Sequence, residues 1–369
     1  MPIDKEILSK IRTKHGDAKI ILSLEEKGFC VAQSKDGSTE EMESRDVGEF
    51  LKRAKSCSVA WIDYIVDDFQ GEALKTAISL GFTESLVSAL LKNKRSGYED
   101  LDTEMGLLIP AIIVEGFDVK VEYLLLLIRD GLVATIHTTE VKRFFRLRRY
   151  AKIFMRKIKP NLPSKDKVTS ILIRIIDENN ARNFDHLREI EENSDKLSAK
   201  LSDVKTPRVE IGKDIHMMKH ALICYLNALW ETVDVLNTLR YGDPEILTDD
   251  PKLLQRLAGL VVEVNNQIGL AEHMSEVLAS GLEVMQSIYN NQLQILNNKL
   301  ALLVAYLTVL GTAFLVPNTI ATALGSTAFA LTPADQLWYM ALLIGSMVIA
   351  TIGSYLWVKK MGLLPEKPE

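Results

Sequence analysis

The chain has 369 residues, 47% of them hydrophobic and 25% charged, enough for about two domains with their own cores, which excludes disorder as its main theme. Lys+Arg 44 against Asp+Glu 49 gives a net charge of -5, so the basic body of a nucleic-acid coat is excluded and no nucleic-acid partner is expected. Three cysteines, Cys30, Cys57 and Cys224, stand far apart without CxxC spacing, which excludes a disulfide framework or zinc knuckle and reads as mostly buried, reduced thiols.

The opening stretch MPIDKEILSKIRTKHG mixes charge with isolated apolar positions, so no secretory signal peptide is expected. Up to about residue 140, AKIILSL, FCVAQS, SVAWIDY, GLLIPAIIV, VEYLLLLI and LVATIH have strand length and β-rich content. GEALKTAISLGF and ESLVSALLKN have helical periodicity, so residues 1–165 read as a cytoplasmic α/β domain. Residues 142–159, KRFFRLRRYAKIFMRKIK, hold nine Lys or Arg and no acid. That run reads as a solvated helix, or one that meets lipid headgroups or acidic helix faces such as DENN and REIEEN.

From Val168 to Leu201 a heptad-like pattern predicts one helix, and a second is expected from about Val209 to Leu239. His216 and His220 lie one turn apart within it, but no Glu follows the first in HExxH order, so they read as structural histidines. YGDPEILTDDP then breaks the pattern, with Asp249 or Asp250 as N-cap and Pro251 at a first helical position. No proline follows until Pro317, so one helix is expected to run from Pro251 into the membrane, about 75 residues or 110 Å at 1.5 Å per residue. No single-chain core covers such a rod, and residues 166–299 read as a helical stalk held by other helices or subunits.

Between Lys299 and Asp335 there is no charged residue, and Leu337 to Val358 is again uncharged. Residues 300–358 are therefore expected to form two transmembrane helices joined by a short outer loop, 325–336, with 359–369 as a cytoplasmic tail. Lys299, Lys359, Lys360 and Lys367 flank the spans and the loop carries no Lys or Arg, which places both termini in the cytoplasm of a multi-pass protein of the cell (inner or plasma) membrane. Trp338, Tyr339, Tyr355 and Trp357 fit interfacial belts.

Two helices per chain cannot enclose water, so a transport role demands an oligomer around an axis. Val304, Leu307, Gly311, Leu315, Asn318 and Thr322 recur every three or four residues on one stripe of the first span, which reads either as a pore lining or as a helix-helix contact. Gly325, Ser326, Thr327 and Asp335 would form the outer mouth. Asn318 and Thr327 offer uncharged oxygens to a hydrated divalent cation, and the inner, apolar part offers a constriction. Asp335 reads equally as an external acidic ring or as the N-cap of the second span. Pro317 removes a backbone donor, so a bend is expected near Ala313 to Pro317. No P-loop, GxGxxG, GxSxG or Cys/His nucleophile pair occurs, so neither an enzyme nor an organic cofactor is expected.

AWIDYIVDDFQGEALKTAISLGFTESLVSALL, EYLLLLIRDGLVATIHTTEVKRFF and NNKLALLVAYLTVLGTAFLVPNTIATALGS, followed by two terminal spans, resemble the CorA family of divalent-cation channels over nearly the whole chain. The resemblance implies a homopentamer in the lipid bilayer, an α/β/α cytoplasmic domain with long stalk helices, and a pore made by the first span. The implied cargo is Mg²⁺ before Co²⁺, Ni²⁺ or Zn²⁺. Two departures accompany it. The family ends its first span in Gly-Met-Asn, where this chain has Gly325, Ser326 and Thr327. The family's regulatory carboxylates correspond here to the neutral Ser88, Ala89, Asn265 and Asn266, so closure by intracellular Mg²⁺ is not expected in its usual form. Other acids are available, Asp63, Asp67, Asp68, Glu99, Asp100, Asp102, Asp243, Asp249 and Asp250, and most of them read as solvated surface or caps. The departures leave open a second reading, a membrane-anchored oligomeric scaffold or sensor that does not conduct.

Overall fold

The computed structural model describes residues 27–92, 96–202, 208–242, 244–326 and 332–361. The strand expected at AKIILSL lies outside them. Among the described residues, seven strands form one mixed sheet: β1 (Gly28–Gln33), β2 (Thr39–Ser44), β3 (Val59–Val66), β4 (Gly97–Asp100), β5 (Glu104–Glu115), β6 (Asp118–Arg129) and β7 (Leu132–Thr138). Their order is β2-β1-β3-β7-β6-β5-β4, and only β3 and β7 run parallel. Five of these strands follow from the sequence pattern, whereas β2 (TEEMES) and β4 (GYED) do not. Both are edge strands, where charge in place of apolar alternation discourages pairing with another sheet.

Period-two alternation along β3 divides its side chains between two helical layers. Ala60, Ile62 and Val66 join Cys30, Leu125 and Ile136 in a core covered by α1 (Val47–Ser56), α2 (Phe69–Ser79) and α3 (Glu84–Lys92). Phe50, Ala77 and Leu90 are among the buried contributions of those helices. Asp46 caps α1 by accepting from Gly48 N at 2.8 Å, and Asp68 caps α2 through Gln70 N at 3.1 Å. On the opposite face lie α4 (Arg143–Lys157), α5 (Ser164–Asn180) and α7 (Arg208–Tyr241).

That second face buries charge. Asp63 on β3 is fully enclosed; its Oδ2 accepts from Arg148 Nε at 2.6 Å, and its Oδ1 accepts from Thr135 Oγ1 at 2.5 Å and lies 3.1 Å from His137 Nε2. Burial alone would raise the Asp63 pKa, but Arg148, His137 and the Thr135 hydroxyl outweigh it and hold the carboxyl well below the usual carboxylate range. Asp63 is therefore not a solvated acid, and the basic run is not simply a solvated helix. Arg143 is also buried, donating to the carbonyls of Asn179 and Ile112, while Arg146 meets Glu178 of DENN at 2.9 Å. Burial, then Arg182, lowers the Arg143 pKa to about 10, which leaves it cationic at neutral pH. Gln33 Nε2 closes the far end of α4 by donating to the carbonyls of Met155 and Ile158, each at 2.9 Å.

The expected helix over residues 168–201 is two, α5 and α6 (Asn183–Ser202), broken at Ala181 and Arg182. The break is held by bonds to groups outside the helix: Asn179 Nδ2 donates to Pro110 O at 2.8 Å, and the Asn183 carbonyl accepts from Tyr225 Oη at 2.7 Å. The α/β unit thus continues past residue 165, because α5 and α7 lie against the sheet, and the compact unit extends to Ala279. A second unit begins at Ser280. Helix α8 (Pro251–Leu324) is 74 residues long and starts where expected, with Asp250 Oδ1 accepting from Lys252 N at 3.0 Å. It is unbroken through Pro317, and after a short 3₁₀ turn at Pro333–Asp335 comes α9 (Gln336–Lys360).

Asp63→Leu strands a buried guanidinium and is expected to destabilise the α/β unit by about 3–5 kcal/mol, whereas Asp63→Leu with Arg148→Met recovers most of the loss. Denaturant unfolding of the purified protein, followed by tryptophan fluorescence, reads both. Because the folded Asp63 carboxyl sits below its unfolded value of about 3.9, its contribution is complete above roughly pH 4 and disappears as the pH falls through the folded value. The acid limb of the wild-type stability curve should therefore flatten in the double variant.

Candidate ion-conduction helix

Between Lys299 and its end at Leu324 helix α8 has no charged side chain, and α9 has none from Gln336 to Val358. Both are long and apolar enough to cross a membrane, and little of either is buried within the chain. The covered positions on α8 centre on Leu302, Ala305, Val309, Ala313, Pro317, Ile320 and Leu324, one stripe at spacings of three and four, with Thr312 and Ala321 at its edge. Helix α9 has a matching one at Tyr339, Leu343, Ser346, Ala350, Ser354 and Val358, edged by Gly345 and Thr351. Small side chains dominate the tightest points: Ala305 and Ala313 are among the few buried residues here, as interfaces between membrane helices require for close backbone approach.

All six residues expected to line a pore, Val304, Leu307, Gly311, Leu315, Asn318 and Thr322, are exposed and share one face. At 100° per residue that face is centred about 180° around α8 from the covered stripe. Thr322 Oγ1 donates to the Asn318 carbonyl at 2.8 Å, so its hydroxyl proton is satisfied by the helix itself and its oxygen lone pairs remain available. The same device recurs at Thr308, Thr312 and Thr319, which lets hydroxyls sit in an apolar segment. Gly325 N donates to Ala321 O at 2.8 Å where the helix ends, and Ser326 Oγ donates to Ala323 O at 2.8 Å. Thr327 lies outside the described residues.

Asp335 is drawn into the turn that opens α9. Its Oδ2 accepts from Thr332 N at 2.9 Å and from Thr332 Oγ1 at 2.7 Å, and its Oδ1 accepts from Trp338 Nε1 at 2.8 Å. Asp335 thus closes the capping box of the 3₁₀ turn, with Thr332 as its N-cap, and its side chain makes no capping bond to the backbone of α9. In the α/β unit, Ser88 and Ala89 are half-buried on α3, while Asn265 and Asn266 are exposed on α8, where Asn265 Nδ2 donates to its own helix at Val261 O, 2.9 Å away. Among the described residues no three His, Cys, Asp or Glu side chains converge on a metal position. The residues that sequence reasoning missed are the covered stripes themselves: in two uniformly apolar segments no hydrophobic period marks which face meets the other helix.

A family model described as CorA-like Mg²⁺ transporter protein matches residues 57–360. Among solved structures, the complete CorA magnesium transporter of Methanocaldococcus jannaschii is similar with a TM-score of 0.65 at 20% identity, over 91% of this chain and 98% of that one. Its soluble domain aligns with a TM-score of 0.53 at 20% identity, over 70% and 96%. The full-length CmaX protein gives 0.60 at 14% identity, over 90% and 98%. No curated protein matches in a sequence comparison.

Ala313→Phe forces a ring into the covered stripe of α8 and is expected to cost about 1–3 kcal/mol of overpacking, seen as earlier loss of a monodisperse peak on heating in detergent. Ile352→Phe, on the uncovered face of α9, should leave that profile unchanged.

Proposed function

The chain belongs to the CorA-like Mg²⁺ transporter family, and from that membership we propose that it is a homopentameric, potential-driven channel for divalent cations, with Mg²⁺ preferred over Co²⁺, Ni²⁺ or Zn²⁺. The observation that carries this reading is the opposition of the two faces of α8 in its membrane segment, one covered within the chain and the other exposed with Asn318 and Thr322 toward its outer end. Five copies around an axis would turn the exposed stripe into a lining. Further toward the α/β unit, α8 leaves Leu254, Val262, Leu270 and Val277 exposed at intervals of seven and eight, an apolar seam suited to neighbouring copies.

The chemistry of the stripe suits a hydrated cation. Mg²⁺ gives up water reluctantly and takes oxygen donors, so rings of amide and hydroxyl oxygens at Asn318 and Thr322, followed by Ser326 and Thr327, can bond its water shell without fixed charge. Val304, Leu307 and Leu315 form an apolar inner section able to gate by dewetting, and Gly311 leaves room between them. Asp335 keeps a carboxylate near the outer mouth while serving its turn. An inside-negative potential contributes about 4.6 kcal/mol per divalent ion at 100 mV, so entry needs no other energy source. Lys299, Lys359 and Lys360 at the span ends support an orientation with both termini in the cytoplasm, in the inner or plasma membrane. Ser326 and Thr327 in place of the family's Met-Asn favour one competing reading, an assembled membrane scaffold or sensor that has lost conduction.

Purified protein in liposomes loaded with a Mg²⁺-sensitive dye is expected to pass Mg²⁺ when a potential is imposed. Asn318→Leu should abolish that flux and leave the oligomer intact by size-exclusion. A stable oligomer of the unsubstituted protein that passes no divalent cation would instead establish the scaffold, and undiminished flux in Asn318→Leu would remove Asn318 from the lining.

A further inference from the structure

Helix α7 carries three metal-ligating side chains on successive turns, His216, His220 and Cys224. His216 and His220 are exposed and Cys224 is half-buried. Both ring nitrogens of His220 lie 3.8 Å from Cys224 Sγ. A tetrahedral zinc ion with bonds of about 2.3 Å to sulfur and about 2.0 Å to nitrogen holds those donors about 3.5 Å apart. The pair therefore already stands close to a chelating separation. The imidazole χ2 torsion is soft, and rotation of an exposed ring turns either nitrogen toward the shared ion.

We infer that His220 and Cys224 form a surface chelate for a late first-row divalent cation such as Zn²⁺, Co²⁺ or Ni²⁺. Thiolate and imidazole suit these ions, whereas Mg²⁺ takes oxygen donors, so the site discriminates against Mg²⁺. The thiol proton leaves to solvent as the sulfur binds. Along a helix, His220 and Cys224 are about 6 Å apart in rise, but His216 and Cys224 are about 12 Å apart, so one ion takes two of the three ligands and water completes its shell. This accounts for the lack of any converging group of three among the described residues. Neither other thiol competes with this arrangement. Cys30 is buried, and burial pushes its thiol up to about 12, while Cys57 has serine hydroxyls rather than an imidazole beside it.

The inference does not depend on conduction, because the oxygen donors of the proposed lining give no thiolate signal. Titrating the purified full-length protein in detergent with Co²⁺ is expected to produce a near-ultraviolet thiolate-to-cobalt charge-transfer band that saturates at one ion per chain. Zn²⁺ should displace it and Mg²⁺ should not. Cys224→Ser and His220→Ala should each lose the band, while His216→Ala and Cys57→Ser keep it, with unchanged far-ultraviolet circular dichroism in all four. No band in the unsubstituted protein, or a band that survives either Cys224→Ser or His220→Ala, overturns the inference.

Discussion

Two helices from one chain can cover only one side of each other. In α8 and α9 that side is a stripe with small residues at its tightest points, and most of the remaining surface of both segments is apolar and exposed. Water tolerates no such surface, which suits it to the apolar interior of a membrane. The face of α8 opposite its covered stripe stays uncovered within the chain, and it is the face that carries Asn318 and Thr322. Hydroxyls survive in this setting because each donates to a carbonyl one turn back, so polar oxygens are presented outward without leaving a donor unsatisfied.

A different solution to the same problem of burying polarity holds the α/β unit together. Asp63 is removed from water altogether, and the cost of desolvating a carboxylate is met by a guanidinium, a hydroxyl and an imidazole arriving from three directions. Because Arg148 comes from α4 while Thr135 and His137 come from β7, the cluster fixes that helix to the parallel strand pair β3 and β7. Arg143, at the first turn of the same helix, extends this bonding to the end of α5 and to β5. The basic helix is thus partly an internal structural element.

The apolar runs FCVAQS, SVAWIDY, GLLIPAIIV, VEYLLLLI and LVATIH marked their strands because central strands must bury both faces, and a proline-free stretch from Lys252 onward marked the long helix because nothing interrupts its hydrogen bonding before Pro317. The edge strands β2 and β4 escaped because charge hides their periodicity. The division at Ala181 and Arg182 escaped because Asn179 and Asn183 bond to Pro110 and Tyr225, partners distant in sequence. Local composition alone determined the membrane segments, their charge-free length and the candidate stripe. Only the tertiary structure decided which acid is buried, which arginines are internal, that α5 and α7 belong to the sheet, and which face of α8 stays uncovered, because each of these depends on what another part of the chain brings into contact.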